Sequence, residues 1–306
     1  MRLVNYQHHS RQHLGVLMHD RIMDLQAVYR LWQQHSPNLA IRKRLPVDLL
    51  RLLQIHGSEL RILKQLVDFS ETLPASRQTA IPFARAHLLP PILRPGKVIA
   101  VGLNYPPYPA DGSPPPPYPV LFHKTASSLT GHNTAIRIPH ATDQVEYEGE
   151  VAVIIGKTGR NIRLETAILH VAGYTIANDV GARDWQQRSS QWTSGKMADT
   201  FCPLGPALVT VDEIPDPSAL HICTQVNGER MQDAPTSEMI FDVPALVSYI
   251  SEVCTLEAGD IILTGSPKRA GDRPDPRRYL KPGDMVQITI TGLGMLSNPV
   301  IKEQIP

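Results

Sequence analysis

The 306-residue chain is poor in cysteine, with only Cys202, Cys223 and Cys254. The number is odd and too small for a disulfide framework, and the spacing is too wide for a zinc knuckle. A reducing cytoplasm is therefore the expected compartment. An excess of charge of one sign is also missing: 30 basic residues stand against 29 acidic ones, a net charge of +1, with neither sign gathered into a tract. That balance argues against a nucleic-acid partner or an anionic membrane surface. The N-terminal stretch MRLVNYQHHSRQHLGV has no continuous apolar segment of signal-peptide type, and the longest apolar runs, such as VAVII, are far short of a membrane span. A soluble, non-exported protein is expected. G-x-G-x-x-G, G-x-x-x-x-G-K, H-E-x-x-H and G-x-S-x-G are all absent, which removes the usual signatures of dinucleotide, phosphate-loop, zinc-protease and serine-hydrolase chemistry. The 12 histidines are scattered and are expected to serve packing or the surface.

What is present is enough apolar sequence, 42%, to build sizeable cores. The texture changes near residue 90. Before it, MRLVNY and LGVLMHDRIMDL look like short strands, and VDLLRLLQIHGSELRILKQLVDFSETL has the three-and-four spacing of a helix. The segment LLPPILRPG, with three prolines and a glycine, reads as a hinge. Beyond it KVIAVGL, YPVLFHK, EVAVIIG, VAGYTIA, LHICTQV, DIILTGS and MVQITIT are strand-like, while helix is expected in SEMIFDVPALVSYISEVC and in parts of 164–172 and 182–192. The expected architecture is α+β and mainly β. A small α/β module spans residues 1–90, and a larger domain with a mixed or rolled sheet spans 91–306.

Two stretches carry candidate chemistry. In VEYEGEV, strand alternation sends Glu146, Glu148 and Glu150 to one side, about 7 Å apart. Like charges so close beside VAVIIG are costly without a positive partner, and a hard divalent cation is the simplest one. A polar strand end facing water accounts for the same pattern. In VAGYTIANDVGARDWQQ an apolar strand ends at Asn178 and Asp179, and Arg183, Asp184 and Gln186 follow on a helical turn. Asp179 can complete a metal site and Arg183 can grip a carboxylate with its fork; equally, Asp179 can be a helix cap and Arg183 its partner.

Taken together, RPGKVIAVGLNY, PVLFHK, VEYEGEVAVIIGK, AGYTIANDVGARDWQ, SGKMADTFCPLGP, VNGERMQ, LEAGDIILTGSP and LKPGD resemble the fumarylacetoacetate hydrolase family in order and spacing from about residue 88 to the C-terminus. The N-terminal module resembles the small domain that many members carry. The resemblance implies the family's mixed β-sheet roll, a homodimer, and a Mg²⁺ or Mn²⁺ ion held by Glu148, Glu150 and Asp179. It implies a small carboxylic-acid substrate with a 2-oxo acid or β-dicarbonyl unit, reacting through a metal-bound enolate. Lys196 carries over as the charge that stabilises the enolate, and Arg183 and Gln186 as substrate-binding groups; Tyr105 in GLNY and Ser266, which keeps the hydroxyl of the family's turn, are further substrate-binding candidates. Glu146 falls where members often have an acid that is not a ligand. Lys124, at a strand end, is either part of the site or a surface cation.

Two departures bear on the reaction. Hydrolytic members follow GLNY with a lid bearing a histidine and, three residues on, a glutamate that activate water; here those positions hold Tyr108 and Asp111 among prolines. Proline disfavours a lid helix, and a tyrosine with a pKa of about 10 is a poor base at neutral pH. His123 and His132 are the available substitutes. The second departure is TGSPKRAGDRPDPRRYL, where Lys268, Arg269, Arg273, Arg277 and Arg278 suit a substrate with a second acidic group if the loop faces the site. The leading expectation is a C–C bond hydrolase. The alternatives are a tautomerase, isomerase or decarboxylase using the same enolate, and a non-catalytic binding protein.

Overall fold

The structure, a computed structural model, describes residues 1–35, 45–55, 58–72, 80–106, 114–267 and 278–304, with backbone alone at 58–60. Tyr108, Asp111, Lys268, Arg269, Arg273 and Arg277 lie outside the described residues.

The run VAVII lies in the strand Gly149–Ile155, buried along its whole length. Val151, Val153 and Ile155 join one core with Tyr174, Ile176, Ile222 and Ile288, while Ala152 and Ile154 join another with Leu3, Leu52, Leu63 and Leu66. Alternate side chains of a strand point to opposite faces, so an unbroken apolar run marks a strand covered on both. A smaller sheet covers one face and the N-terminal helices cover the other.

From edge to edge the large sheet runs Ala80–Pro82, Arg21–Asp24, Arg11–Met18, Arg2–His8, Cys202–Thr210, Val171–Asn178, Gly149–Ile155, Ile261–Leu263, Val98–Gly102 and Val120–Lys124. The smaller one runs Glu229–Pro235, His221–Val226, Met285–Ile290, Gly294–Lys302 and Ile136–Ile138. Most pairs are antiparallel, but Ile261–Leu263 runs parallel to Val98–Gly102, so the sheet is mixed and the mainly-β expectation holds. The large sheet continues across residue 90: Arg2 pairs with Val209 and Leu3 with Leu208.

The helices differ in detail from expectation. Leu25–His35 is an added helix; Leu25, Val28, Tyr29 and Trp32 form its buried stripe, and Asp24 accepts a capping bond from Ala27 N at 2.7 Å. The stretch expected to be helical at 47–73 divides into Leu49–Gln54 and Ser58–Thr72. The C-terminal helix begins only at Val243, where Asp242 accepts from Ala245 N and a proline occupies the first turn. Among the described residues no helix is long and apolar enough to cross a membrane.

Candidate metal and substrate site

The pairing of two strands builds the site. Gly149 lies opposite Asn178, which brings Glu148 and Glu150 beside Asp179 at one end of adjacent strands. Asp179 N donates to Glu148 O at 2.8 Å, and Glu148 N donates to the Asn178 side chain at 2.9 Å. One oxygen from each of Glu148, Glu150 and Asp179 lies within 4.8 Å of the others.

VEYEGEV is not one continuous strand. Val145–Glu146 pairs with Gly181–Ala182 in a separate two-stranded ladder, and the large-sheet strand starts at Gly149. The reading of three glutamates sharing one strand face is corrected accordingly: Glu146 meets Arg183, whose Nε donates to it at 3.0 Å. Asp179 does not cap the following turn, Arg183–Gln186, whose N-cap residue is Ala182.

Two buried ammonium groups oppose the carboxylates. Lys196 Nζ donates to Glu148 at 2.6 Å, to Asp179 Oδ2 at 2.7 Å and to Asp179 O at 3.1 Å. Lys124 Nζ takes Asp179 Oδ1 and, at 3.0 Å, Val180 O. Lys124 thus belongs to the cluster and not to the surface. Lys196 crosses Gly181 so closely that a Cβ there would stand 3.0 Å from Lys196 Cε. The Phe122 ring lies 5.4 Å from Lys196 Nζ, a cation–π contact.

The charges are unequal. Two ammonium groups face three carboxylates, and Glu150 receives neither, accepting instead from Gly265 N at 2.8 Å. Burial pushes the Glu150 carboxyl well above the ordinary range, and the charges of Asp179 and Glu148 push the same way. Burial also raises Glu148 against the pull of Lys196; its side chain keeps 26% exposure, so burial bears on it least. For Asp179 burial works upward, but Lys124 and Lys196 outweigh it and hold the carboxyl low. Burial disfavours the Lys196 charge, yet Asp179 and Glu148 hold its pKa above the usual lysine value.

Hard oxygen donors around an unbalanced negative charge suit Mg²⁺ or Mn²⁺. The residues present fit such an ion: Glu150, 2% exposed, has no cationic partner among the described residues, and the triad's oxygens already converge.

The other expected site residues fall as follows. Gln186 is buried on the turn after Arg183. Tyr105 is buried, and its hydroxyl has no hydrogen-bond partner among the described residues; burial, then the charges of Glu150 and Glu238, raise its pKa and keep it a neutral donor. Ser266 follows Gly265, whose φ of +93° suits glycine. His123 is corrected: Phe122 and Lys124 point inward and His123, between them, is exposed on the opposite face. His132 packs near Phe83 and accepts from Ser297 N at 3.2 Å, a core role. Asn178 and Gly265 were not singled out as site residues by the sequence, although each sits in a motif that was.

The class defined by the fold and site is a mixed-sheet protein with carboxylates and buried lysines gathered at the ends of adjacent strands. The chain belongs to the fumarylacetoacetate hydrolase family: residues 97–301 match fumarylacetoacetate (FAA) hydrolase C-terminal. It is 40% identical to the mitochondrial oxaloacetate tautomerase fahd2 of Xenopus laevis, across 98% of this chain and 90% of that one. It is 44% identical to the mitochondrial oxaloacetate tautomerase FAHD2A of Homo sapiens, across 74% of this chain and 73% of that one. Among solved structures, 2-hydroxyhepta-2,4-diene-1,7-dioate isomerase from Mycobacterium marinum is 33% identical with a TM-score of 0.72, covering 100% of both chains. Maleylpyruvate hydrolase from Sphingobium sp. SYK-6, in complex with manganese (II) ion and pyruvate, is 29% identical with a TM-score of 0.75, covering 99% of this chain and 100% of that one. The chain is accordingly an enzyme of this family, a hydrolase or an isomerase.

Proposed function

We propose that the chain is a divalent-metal-dependent tautomerase of a 2-oxo dicarboxylic acid, with oxaloacetate as the first substrate to test. The observation that carries this reading is the convergence of Glu148, Glu150 and Asp179 with Lys196 bonded to two of them. The oxaloacetate tautomerases 40% and 44% identical to this chain favour this reaction over hydrolysis, which the sequence alone put first. The replacement of the lid histidine and glutamate by Tyr108 and Asp111 points the same way.

Glu148, Glu150 and Asp179 would hold Mg²⁺ or Mn²⁺, which when bound supplies Lewis-acid stabilisation of charge developing on a carbonyl oxygen. Lys196, protonated, sets its positive charge beside that oxygen and does not act as a base. Arg183, anchored by Glu146, receives a substrate carboxylate, and Ser266 and Tyr105 donate to the remaining oxygens. Lys124 holds Asp179 in place. A homodimer and a small carboxylic-acid substrate are part of the proposal. So is a reducing compartment: the three cysteines are free, which suits the cytoplasm and equally the mitochondrial setting named for the relatives.

Ketonisation of enol oxaloacetate followed by ultraviolet absorption, beside acylpyruvate hydrolysis and solvent-deuterium incorporation by NMR, tests the reading. Tautomerisation should be metal-dependent, lost in EDTA, and faster than hydrolysis. General-base assistance contributes about 10²- to 10⁴-fold, so loss of the water-activating pair leaves hydrolysis weak but not absent. Hydrolysis as fast as proton exchange would reject tautomerisation and favour the second reading, supported by the maleylpyruvate hydrolase likeness.

A further inference from the structure

We infer that Gln232 is a positioning residue that sets the spacing of the carboxylate cluster and aims the Ser266 hydroxyl at an incoming carboxylate; the second half rests on the reading of the site as one for a 2-oxo acid. Gln232 is 3% exposed and lies on Glu229–Pro235 in the smaller sheet, not in the sheet that carries the cluster. Its Oε1 accepts from Gly149 N at 2.9 Å, and Gly149 stands between Glu148 and Glu150. Its Nε2 donates to Pro267 O at 2.7 Å and to Ser266 Oγ at 3.3 Å.

These partners orient the amide. A backbone N–H needs the oxygen and a backbone carbonyl needs the nitrogen, so the carboxamide fits only one way round. Ser266 Oγ is then an acceptor toward Gln232, which leaves its own proton for another oxygen. The same turn delivers Gly265 N to Glu150, and Thr264 N and Oγ1 both donate to Val151 O, at 3.1 and 2.9 Å. Gln232 therefore clamps the ligand-bearing backbone to the turn that holds Glu150. Glycine at 149 permits the approach, since a Cβ there would lie 2.2 Å from Thr224 Oγ1.

Metal-free protein is titrated with Mn²⁺ alone, and the free ion is followed by electron paramagnetic resonance for wild type, Gln232→Met, Gln232→Asn and Ser266→Ala. Loss of an outer support of a metal site weakens binding 10- to 100-fold, so about tenfold weaker Mn²⁺ binding is expected in both Gln232 variants and none in Ser266→Ala. Gln232→Asn keeps an amide but is one methylene short, and serves if the methionine variant does not fold. A role confined to stability would lower the melting temperature and leave the Mn²⁺ affinity of the folded protein alone. At saturating Mn²⁺, Gln232→Met and Ser266→Ala should each raise KM for oxaloacetate, and the double variant should be no worse than Ser266→Ala. Unchanged Mn²⁺ affinity in both Gln232 variants overturns the clamp, and KM effects that multiply overturn the route through Ser266. A wild type without turnover defeats the tautomerase reading, while the Mn²⁺ titration still decides the clamp.

Discussion

Arg183 directs two donors, Nε at 3.0 Å and Nη2 at 2.5 Å, onto one carboxylate oxygen of Glu146. A guanidinium has five N–H donors, so this grip fixes the group while leaving donors for a second carboxylate. Glu146→Gln weakens the grip without touching the cluster. The expected outcome is a rise of about tenfold in KM for a 2-oxo acid, equivalent to about 1.4 kcal/mol, with Mn²⁺ affinity unchanged. Steady-state kinetics beside a metal titration checks it; an unchanged KM removes Arg183 from substrate binding.

Asp179→Ala should remove stabilisation by metal. An ion that binds only the folded state at 100 times its Kd adds about 2.7 kcal/mol. Thermal unfolding of wild type should therefore shift upward with Mn²⁺ and that of the variant should not. Equal shifts would place the ion elsewhere.

The metal-free protein should lose stability as pH rises from the mildly acidic range. Glu150 has a folded pKa above its unfolded one, so the folded state binds that proton more tightly. Its contribution is complete below the ordinary carboxylate range and disappears as pH rises through the raised value. Asp179 is shifted down, so its contribution is present above the ordinary range and fades only as pH falls below it. Glu150→Gln keeps an acceptor for Gly265 N and cannot ionise. In EDTA it should melt higher than wild type at neutral pH and show a flatter pH profile; a lower melting temperature there would contradict the charge imbalance.

Lys196→Met should lower kcat by about 10²- to 10³-fold, the size of effect expected on losing one group that stabilises a developing oxyanion electrostatically. Because Lys196 repels a cation bound by Glu148 and Asp179, Mn²⁺ affinity should be equal or tighter. A large loss of metal binding with normal kcat at saturation would make Lys196 a structural prop for the carboxylates.

By itself the sequence determined the strands, because alternation, apolar runs and turn residues are local properties: KVIAVGL, EVAVIIG, VAGYTIA and MVQITIT are all strands at the expected places. It also carried Glu148, Glu150, Asp179 and Lys196, though as a resemblance rather than a derivation, since nothing local says that residues 148 and 179 meet. Only the tertiary structure decided the rest. The Gly149–Asn178 register brings the three carboxylates together, and the strand break before Gly149 sends Glu146 to Arg183. Burial of alternate residues turns Lys124 inward and His123 outward, and the large sheet passes across residue 90. Gln232 reaches the cluster from another sheet. Each of these depends on which distant segments pair and which faces are covered, and the free energy of such contacts is set by burial and register across the chain, where no local pattern reports it.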